Sequence, residues 1–135
     1  MNEYRKKWLE GLRSGNFKQG YGCLKYGDSY CCLAVACEVL KDDLKIDVTR
    51  DFDSITTEYN GESVALPEAV QKALGISNFG RFKREININS NRYESLSQLN
   101  DQGYHDFKDI ADIIEVNFKN DNFLKGISNE KNNGD

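Results

Sequence analysis

The sequence is poor in the residues that usually announce chemistry. It holds one histidine, one proline and one tryptophan in 135 residues. A cysteine–histidine pair would have to use His105, which is far in sequence from every thiol. The only proline, Pro67, sits where a helix starts and its missing N–H costs nothing. No apolar run approaches the roughly 18 residues that a membrane span needs. Neither the phosphate loop G-x-x-x-x-G-K-[ST] nor the dinucleotide pattern G-x-G-x-x-G occurs, and there is no C-x-x-C. The opening MNEYRKKWLEGL has charges on both sides of its apolar residues and no small-residue cleavage site, so it does not read as a signal peptide. Free thiols in a reducing, cytoplasmic compartment are the expectation.

What is present fits one globular domain. Hydrophobic residues make up 39% and charged residues 30%, ordinary values for a chain that builds a single core. The net charge of −4 is uneven. Met1 to Tyr26 carries Arg5, Lys6, Lys7, Arg13, Lys18 and Lys25 against Glu3 and Glu10, a local +4 that leaves −8 for the remainder. A globally acidic chain repels a long polyanion, which argues against duplex nucleic acid as a partner. The basic first quarter is compatible with a small anion or a nucleotide, and equally with a solvated helix face.

The chain reads as a small α+β domain over residues 1–118, with a central buried helix, a short antiparallel sheet and flanking helices. Tyr4, Trp8, Leu9 and Leu12 recur at helical spacing between Asn2 and Ser14, and Gly15 closes that helix. Trp8 reads as a core anchor. Phe17, Tyr21 and Cys23 then share one parity of a bent, glycine-rich strand, and Tyr26-Gly27-Asp28 reads as a tight turn. Asp28 or Ser29 is placed to cap a helix from Tyr30 to Leu40 that is apolar on nearly all sides and so belongs at the centre. Between Leu44 and Ala65, Asn60-Gly61 marks a hairpin with Ser63-Val64-Ala65 as return strand. A short helix opens at Pro67 and closes at Gly75. A strand over Glu85–Asn89 follows the basic cluster Arg81, Lys83 and Arg84. Ser95 to Leu99 suits one helical turn, and Asp106 to Phe118 the last helix. Residues 119–135, polar and poor in apolar anchors, read as a disordered tail.

Four cysteines fall at Cys23, Cys31, Cys32 and Cys37, spacings that do not match paired zinc ligands, and Cys31 and Cys32 would diverge by about 100° on a helix. Buried thiols are the plain reading, with Cys31, in a helix first turn, the best candidate for a reactive one. Neither cofactor nor metal is called for. Carboxylate pairs (Asp42 with Asp43, Asp51 with Asp53, Asp109 with Asp112) read as surface charge. The candidate ligand-binding wall is Lys18, Gln19, Gly20, Tyr21, Gly22, Lys25, Tyr26, Tyr30 and Cys31. Lysines and a helix start favour anions, glycines let a ligand approach backbone, and tyrosines offer faces for a base. The plain alternative is a bent strand packed on the core helix.

Three stretches carry a family resemblance: Leu12-Arg13-Ser14-Gly15, Lys18-Gln19-Gly20-Tyr21-Gly22, and Tyr30 to Glu38 (YCCLAVACE). With Leu66-Pro67-Glu68, LSQLND from Leu96 and FKDIADIIE from Phe107, the chain resembles a widespread family of small phage-encoded proteins. Ala34 stands where that pattern has glycine, which implies slightly looser helix packing. The resemblance implies phage origin more than a reaction, and a setting in the host cytoplasm. The expectation drawn from it is a counter-defence or host-takeover protein that binds and sequesters a small anionic ligand, such as a nucleotide signalling molecule, without catalysis. Two alternatives stay open: a factor that inhibits a host enzyme by protein–protein contact, and a thiol-dependent or nucleotide-cleaving enzyme. A homo-oligomer is compatible with either binding reading.

Overall fold

The fold is built on α2 (Cys32–Leu40), whose Cys32 to Cys37 and Leu40 are all buried. A computed structural model describes residues 1–50 and 55–126. Among them are α1 (Glu3–Arg13), β1 (Lys18–Gln19), β2 (Lys25–Tyr26), β3 (Ser29–Tyr30), α2, β4 (Val48–Arg50) and β5 (Thr56–Tyr59). Next come α3 (Glu68–Leu74), β6 (Arg81–Ile88), β7 (Asn91–Ser95), α4 (Leu96–Asp101) and α5 (Phe107–Lys119). The domain is α+β, and no helix among the described residues is long and apolar enough to cross a membrane.

α1 starts where the side chain of Asn2 accepts the N–H of Arg5, and it buries Trp8, Leu9 and Leu12. Trp8 is wholly enclosed and donates its indole N–H to the carbonyl of Cys32 at 2.9 Å. That bond ties α1 to the first turn of the central helix. α5 is capped in the same way by Asp106 and buries Phe107, Ile110, Ala111 and Ile114. Both helices pack beside one another, as their apolar stripes require.

Five short strands form one sheet in the order β1-β3-β2-β5-β4, and β6 and β7 form a separate antiparallel pair. The larger sheet is mixed, not purely antiparallel, because the bend after β1 returns the chain so that β1 runs parallel to β3. Register divides its side chains. Gln19, Tyr30, Lys25 and Thr57 lie in one row across four strands, and Lys18, Ser29, Tyr26 and Thr56 in the other. Thr57 and Tyr59 are buried, so the first row faces the core. Tyr59 fastens that face to α2 by donating its hydroxyl to Glu38, which also pairs with Lys41.

Several local expectations change. Asp28 and Ser29 do not cap α2, because the β2–β3 hairpin consumes them and Cys31 takes the N-cap position without a side-chain bond. Asn60 and Gly61 do turn the chain with φ of 52° and 83°. The return strand is only the single bridge of Tyr59 with Glu62, since β2 and β4 already occupy the two edges of β5. The expected strand at Glu85–Asn89 is the distal half of β6, which turns at Asn89 and Ser90 into β7. Residues 120–126 are packed, not a loose tail. Phe123 is buried against Phe82 and Phe118, and buried Asn122 bonds to Asn117 and to the backbone of Arg84. The rest of the expected tail, 127–135, and the pair Asp51 and Asp53 lie outside the described residues.

Asn100, fully buried on α4, holds three segments together. Its Oδ1 accepts from the side chain of Gln19 at 3.0 Å and from the backbone N–H of Cys32 at 3.2 Å. Its Nδ2 donates to the carbonyl of Gly20 at 2.9 Å and to Asp101 at 3.1 Å. Asn100→Ala would strand the Cys32 N–H and the Gly20 carbonyl, each at about 1–3 kcal/mol for an unsatisfied buried group. Urea denaturation is expected to show a loss of about 2–6 kcal/mol with an unchanged m value. A loss below about 1 kcal/mol would show that the clamp is dispensable.

Candidate functional site

The stretch from Lys18 to Cys31 is held in place from α4. Gln19 spends its amide on Asn100 and on the carbonyl of His105, both at 3.0 Å. Gly20 is a packing glycine: a Cβ there would lie 2.7 Å from the Cβ of Ser29. Gly22 has φ +86°, and its N–H donates to Asp101 at 3.1 Å. These glycines answer to backbone conformation and close packing within the protein.

The nine candidate residues do not share one wall. Lys18 and Tyr26 stand on the outer row of the sheet, with Lys18 3.9 Å from Asp28. Lys25 and Tyr30 stand on the inner row, where the ammonium lies 4.8 Å from the ring centroid and Phe17 meets the same ring edge-on. Tyr21 is exposed and sits against Gly103. Cys31 lines a separate cavity of about 180 Å³, with Cys23, Phe79, Ser97 and Asp101 among its other walls.

That cavity is set against thiol chemistry and against anions. Burial pushes the Cys31 thiol up to about 12, and the N–H groups of Ala34 and Leu33 at the helix start only partly oppose this. Cys32 and Cys37 are raised by burial as well, and Cys23 by burial and by the charge of Asp101. Desolvation therefore outweighs the helix-start effect that singled out Cys31. His105 stands elsewhere, edge-on to Tyr93 and 4.0 Å from Asp109, and does not line the cavity. Among the described residues no group of three or more His, Cys, Asp or Glu is placed to hold a metal ion.

The cations of the first quarter are mostly neutralised at home. Lys6 pairs with Glu3, Lys7 with Asp43, Lys18 with Asp28, and Arg13 with both Asp112 and Glu115. Arg5 is different. Its Nε donates to the carbonyl of Leu74 at the end of α3, and its guanidinium lies 4.0 Å over the Phe118 ring. Gly75, the left-handed cap of α3, makes the space for it, since a Cβ would come within 2.9 Å of Nη2. The two Nη groups have no hydrogen-bond partner among the described residues. Arg5 lines a cavity of about 120 Å³ whose other walls include Asn117, Asp121, Phe123 and Lys125.

This cavity has a positive surround. Asp121 forms a 2.9 Å bond with Lys83, and Lys125, Arg84 and Arg5 also act on its charge. The Lys83 bond, with help from Lys125 and Arg84, holds its carboxyl below the usual range. Four cations thus share one carboxylate, and neither Arg84 nor Lys125 has a salt-bridge partner among the described residues. Burial lowers the Arg5 value and Asp121 partly restores it, yet guanidinium remains charged at any ordinary pH. Sequence reading marked Arg81, Lys83 and Arg84 as a cluster but had no signal that residues 5, 118 and 125 would join it. That junction needs the packing of residues 120–126 along β6, where Lys83 N–H meets the Asn122 carbonyl and Leu124 N–H the Arg81 carbonyl.

A family model described as a domain of unknown function, DUF8296, matches residues 1–118. Arg5, Lys83, Arg84, Asn117 and Phe118 lie inside the matched region, and Asp121 and Lys125 beyond it. No curated protein and no solved structure matches the chain.

The thiol environments set an order of reactivity. With excess iodoacetamide at pH 8, intact mass is expected to show one adduct, at half-buried Cys23, while Cys31, Cys32 and Cys37 react only after unfolding. Faster labelling of Cys31 than of Cys23 would return the Cys31 cavity to the list of reactive sites.

Proposed function

The chain belongs to the DUF8296 family, and we propose that this member is a binding protein for a small anionic ligand that it holds without chemical change. The observation that carries the reading is the half-buried Arg5 guanidinium, fixed by Leu74 and Phe118 on the wall of a small cavity that Lys125 also lines. A planar fork held in place loses little rotamer freedom on binding, which favours oxyanions. The reading moves the anion site away from the Lys18–Cys31 segment. There the lysines face opposite sides of the sheet, and Asp101 opposes an anion at the start of α2.

The ligand class follows from charge and size. A cavity of about 120 Å³ is far below the roughly 300–1,000 Å³ of sites that enclose a drug-sized molecule. It takes one charged group and leaves the rest of the ligand on the surface. A nucleotide signalling molecule meets that description. In the phage setting that the sequence resembles, sequestering such a molecule in the host cytoplasm would serve counter-defence. Among the described residues no nucleophile–base pair lines the cavity, which supports binding without cleavage.

Isothermal titration of the full chain against linear and cyclic nucleotides tests this. At least one nucleotide is expected to bind tighter than millimolar and to be recovered intact by chromatography. Arg5→Gln and Lys125→Gln should each weaken it by about tenfold or more, close to 1.4 kcal/mol, while Lys18→Gln leaves it within about twofold. Absence of any binding tighter than millimolar across the panel would overturn the reading, and turnover of the bound nucleotide would overturn its non-catalytic part.

A further inference from the structure

We propose that the group seated in the Arg5 cavity is a terminal phosphate monoester, whichever molecule carries it. This rests on the anion-binding reading above and narrows it.

Three observations point the same way. The first is charge. Arg5 and Lys125 line the cavity against Asp121 alone, and the Asp121 carboxylate is already bonded to Lys83 at 2.9 Å, which leaves the charge of both lining cations for a ligand. A phosphate monoester carries close to two negative charges at neutral pH, since its second pKa is about 6. A phosphodiester or a carboxylate carries one. Two lining cations, with the one lining carboxylate held by Lys83, are matched by the more highly charged group.

The second is size. At about 120 Å³ the cavity is somewhat smaller than the roughly 150 Å³ pocket known to accept a benzene ring. One tetrahedral phosphoryl group fits such a space. A diester must extend two substituents from the same phosphorus, and a cyclic dinucleotide still more.

The third is donor geometry. Nε of Arg5 is committed to the Leu74 carbonyl. What remains is the Nη edge of the fork, held flat by the Phe118 ring 4.0 Å away. Two parallel N–H donors on that edge meet two oxygens of one phosphoryl group. Lys125 supplies a mobile point charge for the third, and a terminal phosphoryl group is the one that offers three free oxygens.

The test compares four probes on the full chain by isothermal titration at fixed ionic strength: inorganic phosphate, adenosine 5′-monophosphate, adenosine 3′,5′-cyclic monophosphate and acetate. Adenosine 5′-monophosphate is expected to bind at least tenfold tighter than the cyclic diester and than acetate. Inorganic phosphate competing for the same site would mean that the phosphoryl group alone is recognised. A monophosphate that binds while inorganic phosphate does not compete would place the contact outside the cavity and overturn the assignment. Arg5→Gln should abolish the monoester preference, and the exposed Lys125→Gln, which leaves the core intact, should reduce it by about threefold to tenfold. A cyclic diester that binds as tightly as the monoester would overturn this inference and leave the anion-binding reading standing. Failure of all four probes, with a nucleotide outside this set binding and Arg5→Gln without effect, would overturn it by placing the ligand elsewhere. Failure of every anion would overturn both.

Discussion

One buried amide sets the geometry on which the rest depends. Asn100 has no contact with water, and its amide bonds the side chains of Gln19 and Asp101, the N–H of Cys32 and the carbonyl of Gly20. A buried polar group of this kind is costly unless fully satisfied, so its partners are fixed as strictly as it is. Through Gln19 it sets the edge of the sheet, through Cys32 the start of the central helix, and through Gly20 the bend between them. Trp8 completes the arrangement by bonding to the carbonyl of the same Cys32. The two bonds at Cys32 place α1 and α4 on the first turn of α2, which explains why a nine-residue helix can serve as the centre of the fold.

This also explains why a segment rich in glycine, lysine and tyrosine is structural over much of its length. Such composition suits a ligand loop, and it equally suits a chain that must bend sharply under a neighbouring helix. Close approach decides between them. The Cβ position of Gly20 is filled by Ser29, and the Gly22 N–H is spent on Asp101. At Gly20 the room beside the backbone is taken by Ser29, and the cavity of about 180 Å³ further along, at Gly22, Cys23 and Cys31, carries Asp101 on its wall.

What could be read from the sequence was whatever depends on neighbours within a few residues. The first and last helices, the buried Trp8 and the apolar α2 all follow from periodicity, while the caps at Asn2 and Asp106 emerged only from the structure. The strands were harder, because two-residue strands such as Lys25–Tyr26 carry no period at all and exist only because partners align on both sides. Residues 120–126 show the same limit. Their asparagines suggest solvent, yet Asn122 finds Asn117 and the Arg84 backbone at long range, and one phenylalanine suffices to anchor the segment. The Arg5 cavity was illegible for this reason: its walls come from residues 5, 75, and 117 to 125.

An acidic chain and an anion site are compatible because charge acts locally in salt water. At physiological ionic strength the screening length is about 8 Å, so exposed acids elsewhere contribute little at the Arg5 cavity. What matters there is the balance of Arg5, Lys83, Arg84 and Lys125 against Asp121. Arg5 itself is half withdrawn from water, which on its own disfavours a charge. The carbonyl of Leu74 and the face of Phe118 offset that penalty and hold the guanidinium in one orientation. An apolar side chain would fill the same position with less desolvation and no unpaired donors. A packing role alone therefore does not account for a cation on the wall of a cavity that a second cation, Lys125, also lines. The proposed oxyanion would account for the charge, the orientation and the space that Gly75 leaves open.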